Sequence, residues 1–134
     1  MPDKSAQTSE QTLLELMVSF RTAYAKGDRD GLLAVTTEDF EWHQHFAADE
    51  SGKPTGKVLH GVDALLKEVS WRQEHWQQVR YENLEERAAG DMLVQTFVIS
   101  GIEDGTAFHA NACDLYPVKN GRISLKDTYW KYLK

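Results

Sequence analysis

Hydrophobic and polar positions follow two periods along the chain, and the change falls near its middle. From Leu13 the spacing is helical: Leu13, Leu16, Met17, Phe20 and Tyr24 recur at three and four residues and make one apolar face. Thr8 or Ser9 is placed to cap that helix, and Gly27 to end it in the left-handed conformation. Asp28 to Asp30 open a short second helix with Leu32, Leu33 and Val35 inward, and Thr36 to Asp39 break the pattern. Phe40 to Phe46 then alternates, with Phe40, Trp42, Gln44 and Phe46 on one face and Glu41, His43 and His45 on the other. Ala47 to Lys57 carries two glycines and a proline and reads as a loop. Helical spacing returns over Gly61 to Trp71, with Val62, Leu65, Leu66 and Val69 inward. Beyond it the strand period takes over: Gln77 to Ala88, Met92 to Ser100, and two long strands within Thr106 to Tyr132. Asn120-Gly121 joins the last two and is a strong hairpin signal, because both residues tolerate positive φ.

Three helices with one strand among them, followed by four strands on short turns, predict an antiparallel meander with helices over one face. The expected fold class is α+β, with three N-terminal helices packed on a strongly curved antiparallel sheet that closes into a cone around an apolar pocket. Residues 10–134 are expected to form a single domain, long enough to bury a real core, and residues 1–9 a disordered tail. A net charge of −6 without a Lys/Arg cluster argues against nucleic acid and anionic membrane as partners. No apolar run approaches the roughly 18 residues of a membrane-spanning helix. One cysteine, Cys113, rules out an internal disulfide and fits a cytoplasmic location.

The chemistry-bearing candidates stand out against these patterns. Phe108, Ala110, Ala112, Asp114, Tyr116 and Val118 share a strand face that is apolar except for Asp114. A carboxylate in such a place tends to hold its proton; alternatively it accepts hydrogen bonds from a neighbouring element. His43 and His45 form an H-x-H on one face, with His109 as a conceivable third ligand. No carboxylate or cysteine is clearly placed to complete such a site, so no metal is assigned. His60 reads as a cap-region residue and His75 as structural. Tyr24, Trp42, Trp71, Phe97, Phe108, Tyr116 and Trp130 either line a flat ligand site or fill the core. A regular last hairpin puts His109 and Asn111 opposite Asp114, and Asp127 opposite Trp130; a β-bulge would invert either assignment.

The segments AYAKGDRDGLLAV, DFEWH, HGVDALLKEV and DLYPVKNGRISLKDTYW, in that order, resemble the nuclear transport factor 2-like superfamily, in its SnoaL-like and ketosteroid isomerase-like branch. The resemblance covers about residues 10–133. In the isomerases a tyrosine and a protonated aspartic acid form the oxyanion hole while a second aspartate shuttles the proton. The resemblance puts Phe20 at the tyrosine position, Gln44 at the base, Asp114 at the protonated acid and Trp130 on the pocket wall. Ketosteroid isomerase activity is therefore not expected. Trp42-His43 matches a pair common in SnoaL-like polyketide cyclases. Lys126-Asp127 resembles the last-strand aspartate of the limonene epoxide hydrolases, but Gln95 and Phe97 stand where that pattern needs partners.

Together these imply a cofactor-independent isomerase, cyclase or dehydratase acting by proton transfer on a hydrophobic cyclic or carbonyl substrate. Asp114, His43, His45 and Asp127 are the catalytic candidates. Phe20, Tyr24, Trp42, Gln44, Phe97, Phe108, Tyr116 and Trp130 are the substrate-binding candidates. The alternative is a non-catalytic ligand-binding or assembly module of the same fold. In either case a homodimer through the sheet face is expected, with His109, Asn111 and Tyr132 among its surface.

Overall fold

The structure is a computed structural model and describes residues 4–47, 51, 53 and 56–133, with residues 4–9 described by backbone alone. Three helices, α1 (Lys4–Lys26), α2 (Arg29–Val35) and α3 (Gly61–His75), close over a sheet of β1 (Thr36–Gln44), β2 (Lys57–His60), β3 (Trp76–Ala89), β4 (Met92–Glu103), β5 (Thr106–Lys119) and β6 (Arg122–Tyr132). The strand order is β2-β1-β6-β5-β4-β3. Every neighbouring pair is antiparallel except β1–β6, which is parallel. This is the expected α+β cone.

Local chemistry explains the element ends. Gly27, at φ +64°, terminates α1, and the Asp28 side chain caps α2 by accepting from the Gly31 amide at 3.1 Å. Asn120 and Gly121 both take positive φ, as a type I′ hairpin turn requires.

Several boundaries differ from the sequence expectation. The helix α1 begins at Lys4, inside the segment read as a tail, and the side chains of Thr8 and Ser9 lie outside the described residues. The strand β1 starts at Thr36, because two β-branched threonines extend it through a register shift between Thr36 and Glu41. It ends at Gln44, and Phe46 instead stacks its ring on Trp130 at 4.0 Å. Lys57–His60, read as loop and cap, is a short strand pairing with β1.

Curvature comes from irregularity in β3. Its register with β4 shifts between Gln77 and Arg80 and again between Glu82 and Glu85, and Gln78 and Asn83 adopt positive φ there. Such bulges bend the strand and re-aim its side chains. Hence Val79, Tyr81 and Leu84 all contribute to one cavity lining although a flat strand would split them. By contrast, β4 and β5 keep one register from Glu103–Thr106 to Met92–Pro117. The parity of Asp114 is therefore the one read from the sequence, and His109 and Asn111 lie on the outer face. Tyr132, expected beside them, pairs with Ala110 and lies against Trp130, so it belongs to the inner row.

The core falls in two parts. One joins Met17, Phe20 and Ala23 of α1 to Leu32, Phe40, Trp42, Val62, Leu65, Leu93, Tyr116 and Ile123. The other gathers Ile99, Ala110 and Ala112 with Trp76, Val79, Phe97, Phe108 and Trp130. Between them the cone is open.

Candidate functional site: a cavity ending on a buried ion pair

The opening is a cavity of about 620 Å³, a size suited to a small organic ligand. Its walls are mainly apolar and aromatic, from Met17, Phe20, Trp42, Trp76, Phe97 and Trp130. Tyr81 and Leu84, 54% and 46% exposed, mark the mouth beside α1 and α3. The far end is polar and buried: Asp114, Tyr116 and Thr128 are at most 2% exposed and Lys126 is 6% exposed.

Alternation and register assemble that end. Asp114 and Tyr116 of β5 and Lys126 and Thr128 of β6 point inward, with Asp114 directly opposite Thr128. The Lys126 ammonium donates to Asp114 Oδ2 at 3.0 Å and to the Tyr116 hydroxyl at 2.9 Å. The Thr128 hydroxyl donates to Asp114 Oδ1 and accepts from Trp42 Nε1 at 2.8 Å. Tyr116 donates to Gln95 Oε1 at 3.1 Å, with Asp114 Oδ2 at 3.4 Å as a second acceptor. Gln95 in turn donates to Glu86 at 2.8 Å, and Arg21 holds Glu86 from the mouth side at 3.0 Å. Burial pushes the Lys126 pKa down, and the adjacent Asp114 only partly offsets it. Burial also raises the Tyr116 hydroxyl well above 10, helped by the Asp114 charge.

The face that the sequence reads as apolar around Asp114 also carries Lys126 and Thr128, contributed by the neighbouring strand, and Asp114 is an acceptor at both oxygens.

A second cation lines the wall. Arg72 of α3 is 9% exposed, donates to Glu68 at 3.0 Å and to the Tyr24 hydroxyl at 3.3 Å, and lies over the Trp42 and Trp76 rings at 4.8 and 4.4 Å. Its Nη2 is buried without a hydrogen-bond partner among the described residues. A buried unpaired donor is costly, so an acceptor atom of a bound molecule is the natural complement.

Of the substrate-binding candidates, Phe20, Tyr24, Trp42, Phe97, Tyr116 and Trp130 line the cavity. Gln44 and Phe108 do not. Gln44 is buried at the end of β1 beside the Gly56 backbone, and Phe108 packs between Trp76 and Trp130 behind the wall. Of the catalytic candidates, Asp114 alone reaches the cavity. His43, His45 and Asp127 occupy the opposite face of the β1–β6 pair, because their positions are odd where the lining positions of those strands are even. His109 lies outward too.

Sequence reasoning missed Lys126, Arg72 and Thr128. A signal existed: Arg72 continues the Val62, Leu65, Val69 stripe, and Lys126 continues the Thr128, Trp130 row. Each is a cation on an inward face, the same misfit that singled out Asp114.

The molecule is thus an α+β cone whose deep, largely apolar cavity ends on a buried carboxylate–ammonium pair. Residues 18–125 match the SnoaL-like domain family, and the chain belongs to it. No curated protein sequence matches the chain. Among solved structures it is similar to a nuclear transport factor 2-like protein from Burkholderia xenovorans LB400, with TM-score 0.75, 22% identity, and 91% of each chain covered. It is also similar to a candidate polyketide cyclase from Xanthomonas campestris pv. campestris, with TM-score 0.68, 16% identity, and 91% and 92% coverage of this chain and that one. An LEH-like epoxide hydrolase from M. tuberculosis gives TM-score 0.63 at 15% identity, covering 92% of this chain and 85% of that one. At these identities the likeness is one of fold, and this fold serves several chemistries. No helix among the described residues is long and apolar enough to cross a membrane.

Proposed function

We propose that the protein binds a flat, hydrophobic small molecule bearing a carbonyl or enol oxygen, and moves a proton on it without a cofactor, as an isomerase or cyclase does. The observation that carries this reading is the buried Asp114–Lys126 pair, 3.0 Å apart, at the blind end of an aromatic cavity. Asp114 takes a proton from the carbon beside the carbonyl. The Lys126 ammonium, its pKa lowered by burial, donates to the oxygen on which charge develops. Asp114 then returns the proton at another atom of the same substrate. Arg72 Nη2 anchors a second oxygen nearer the mouth. His43, His45 and Asp127 have no part in this step.

One observation favours the second reading, a non-catalytic binding module: both Asp114 oxygens already have donors, as in a structural lock. In both readings we place the protein in the cytoplasm as a homodimer associating through the outer sheet face around His109 and Asn111.

The test uses tryptophan fluorescence, since Trp42, Trp76 and Trp130 line the cavity. Titration with a panel of planar cyclic ketones and phenols is expected to give saturable quenching by at least one member. Arg72→Met should weaken that binding about tenfold, the loss of one charge-assisted hydrogen bond. No saturable change in the wild type across the panel contradicts the small-molecule reading.

A further inference from the structure

We propose that the outer face of the β1–β6 pair carries a divalent transition-metal site built from His43, His45 and Asp127. The sequence offers only the H-x-H, with nothing to complete it. The fold supplies the third ligand: β1 and β6 run parallel, and Asp127 is the register partner of His43. His45 lies one step beyond β1, yet its amide still donates to the Thr128 carbonyl at 3.0 Å, so the ladder geometry continues past the strand end. His45 Nε2 already meets Asp127 Oδ1 at 2.5 Å. One ligand atom from each of the three residues lies within 4.8 Å of the others. Ligand atoms about 2.1 Å from a tetrahedral ion stand roughly 3.4 Å apart, so the His45–Asp127 contact opens slightly and wider separations close, adjustments within reach of side-chain rotation.

Surrounding groups hold the three side chains. Glu41 accepts from His43 Nε2 at 3.0 Å, and its other oxygen lies 2.8 Å from His60 Nδ1. Carboxylate support of this kind fixes the orientation of a ligating imidazole and raises its basicity. Tyr129 stacks on His45 with centroids 4.1 Å apart and planes 9° apart, and its hydroxyl donates to Asp127 Oδ2 at 3.2 Å, so Oδ1 is the oxygen turned towards His45 Nε2. Two imidazoles and one carboxylate suit zinc, cobalt(II) or nickel(II) better than calcium or magnesium, and leave a coordination position open to water. Because Asp127 points away from Lys126 and Thr128, the site is separate from the cavity, and neither proposal depends on the other.

The test is calorimetric titration of zinc chloride into the full-length, tag-free chain after chelator treatment, with cobalt(II) absorption as a second readout on the wild type. One zinc per chain is expected, with visible d–d bands of a four-coordinate nitrogen–oxygen site for cobalt. His45→Ala and Asp127→Asn should each weaken zinc binding at least tenfold, and Glu41→Gln about tenfold. A zinc-dependent rise in Tm should vanish in the His43→Ala/His45→Ala double variant. His75→Ala should leave zinc binding unchanged. Absence of saturable zinc binding and of cobalt bands in the wild type overturns the proposal. So does zinc binding that persists undiminished in the double variant.

Discussion

Lys126→Met tests whether the buried pair is held together by charge. Lys126 and Asp114 side chains are 8% and 1% exposed, and the ammonium supports both Asp114 Oδ2 and the Tyr116 hydroxyl. Methionine is close to lysine in length, so it fills the space without a large void. What is lost is the counter-charge, and Asp114 is left buried with only Thr128 and Tyr116 as donors. Removing one partner of a buried ion pair costs about 3–5 kcal/mol. For a domain of this size that lowers Tm by roughly 11–18 °C. Asp114→Asn/Lys126→Met removes both charges and should recover to within about 1 kcal/mol of the wild type, since an apolar or neutral replacement of a whole buried pair is often near neutral. Urea unfolding of wild type, single and double variants at about pH 7.5 measures both costs. A single-variant cost below about 1 kcal/mol, or a double variant as unstable as the sum of the two singles, refutes the reasoning.

Other consequences are simpler to check. The five tyrosines, Tyr24, Tyr81, Tyr116, Tyr129 and Tyr132, all have pKa values raised by burial first of all. Ultraviolet titration of the native protein should place every phenolate transition above that of the urea-unfolded chain. Because these folded values exceed the unfolded one, their contribution to stability is complete below about pH 10 and is lost as pH rises beyond it. Gly121→Ala forces a side chain into φ +76° in the hairpin turn and should cost about 1–2 kcal/mol in urea unfolding, with no effect on ligand binding.

The sequence carried the fold further than the site. Helical spacing up to Tyr24 and over Gly61 to Trp71, strand alternation after Gln77, and the Asn120-Gly121 turn are local signals, and local signals determined the elements and their order. Asp114 was legible because a single charge broke an apolar row. Its true environment was not, because Lys126 and Thr128 reach it through the β5–β6 register, fixed only once the hairpin closes. His43, His45 and Asp127 were drawn towards the cavity by residue type, whereas strand parity turns them outward. The β1–β6 contact is parallel and joins residues 82 positions apart, as in His45–Asp127, so no local pattern foretells it. The bulges in β3 were equally hidden, since Gln78 and Asn83 are not glycines.

The central claim is that Asp114 and Lys126 exchange a proton with a carbonyl compound held in the cavity. Proton NMR in D₂O follows it directly, as loss of the resonance beside the carbonyl for a ketone that quenches the cavity tryptophans. The wild type should wash out that proton well above the buffer rate, and Asp114→Asn should slow it about 10²–10⁴-fold while still binding the compound. Wash-out at the wild-type rate in Asp114→Asn, or none above buffer with a tightly bound ketone, would contradict the account and leave the cavity as a binding site alone.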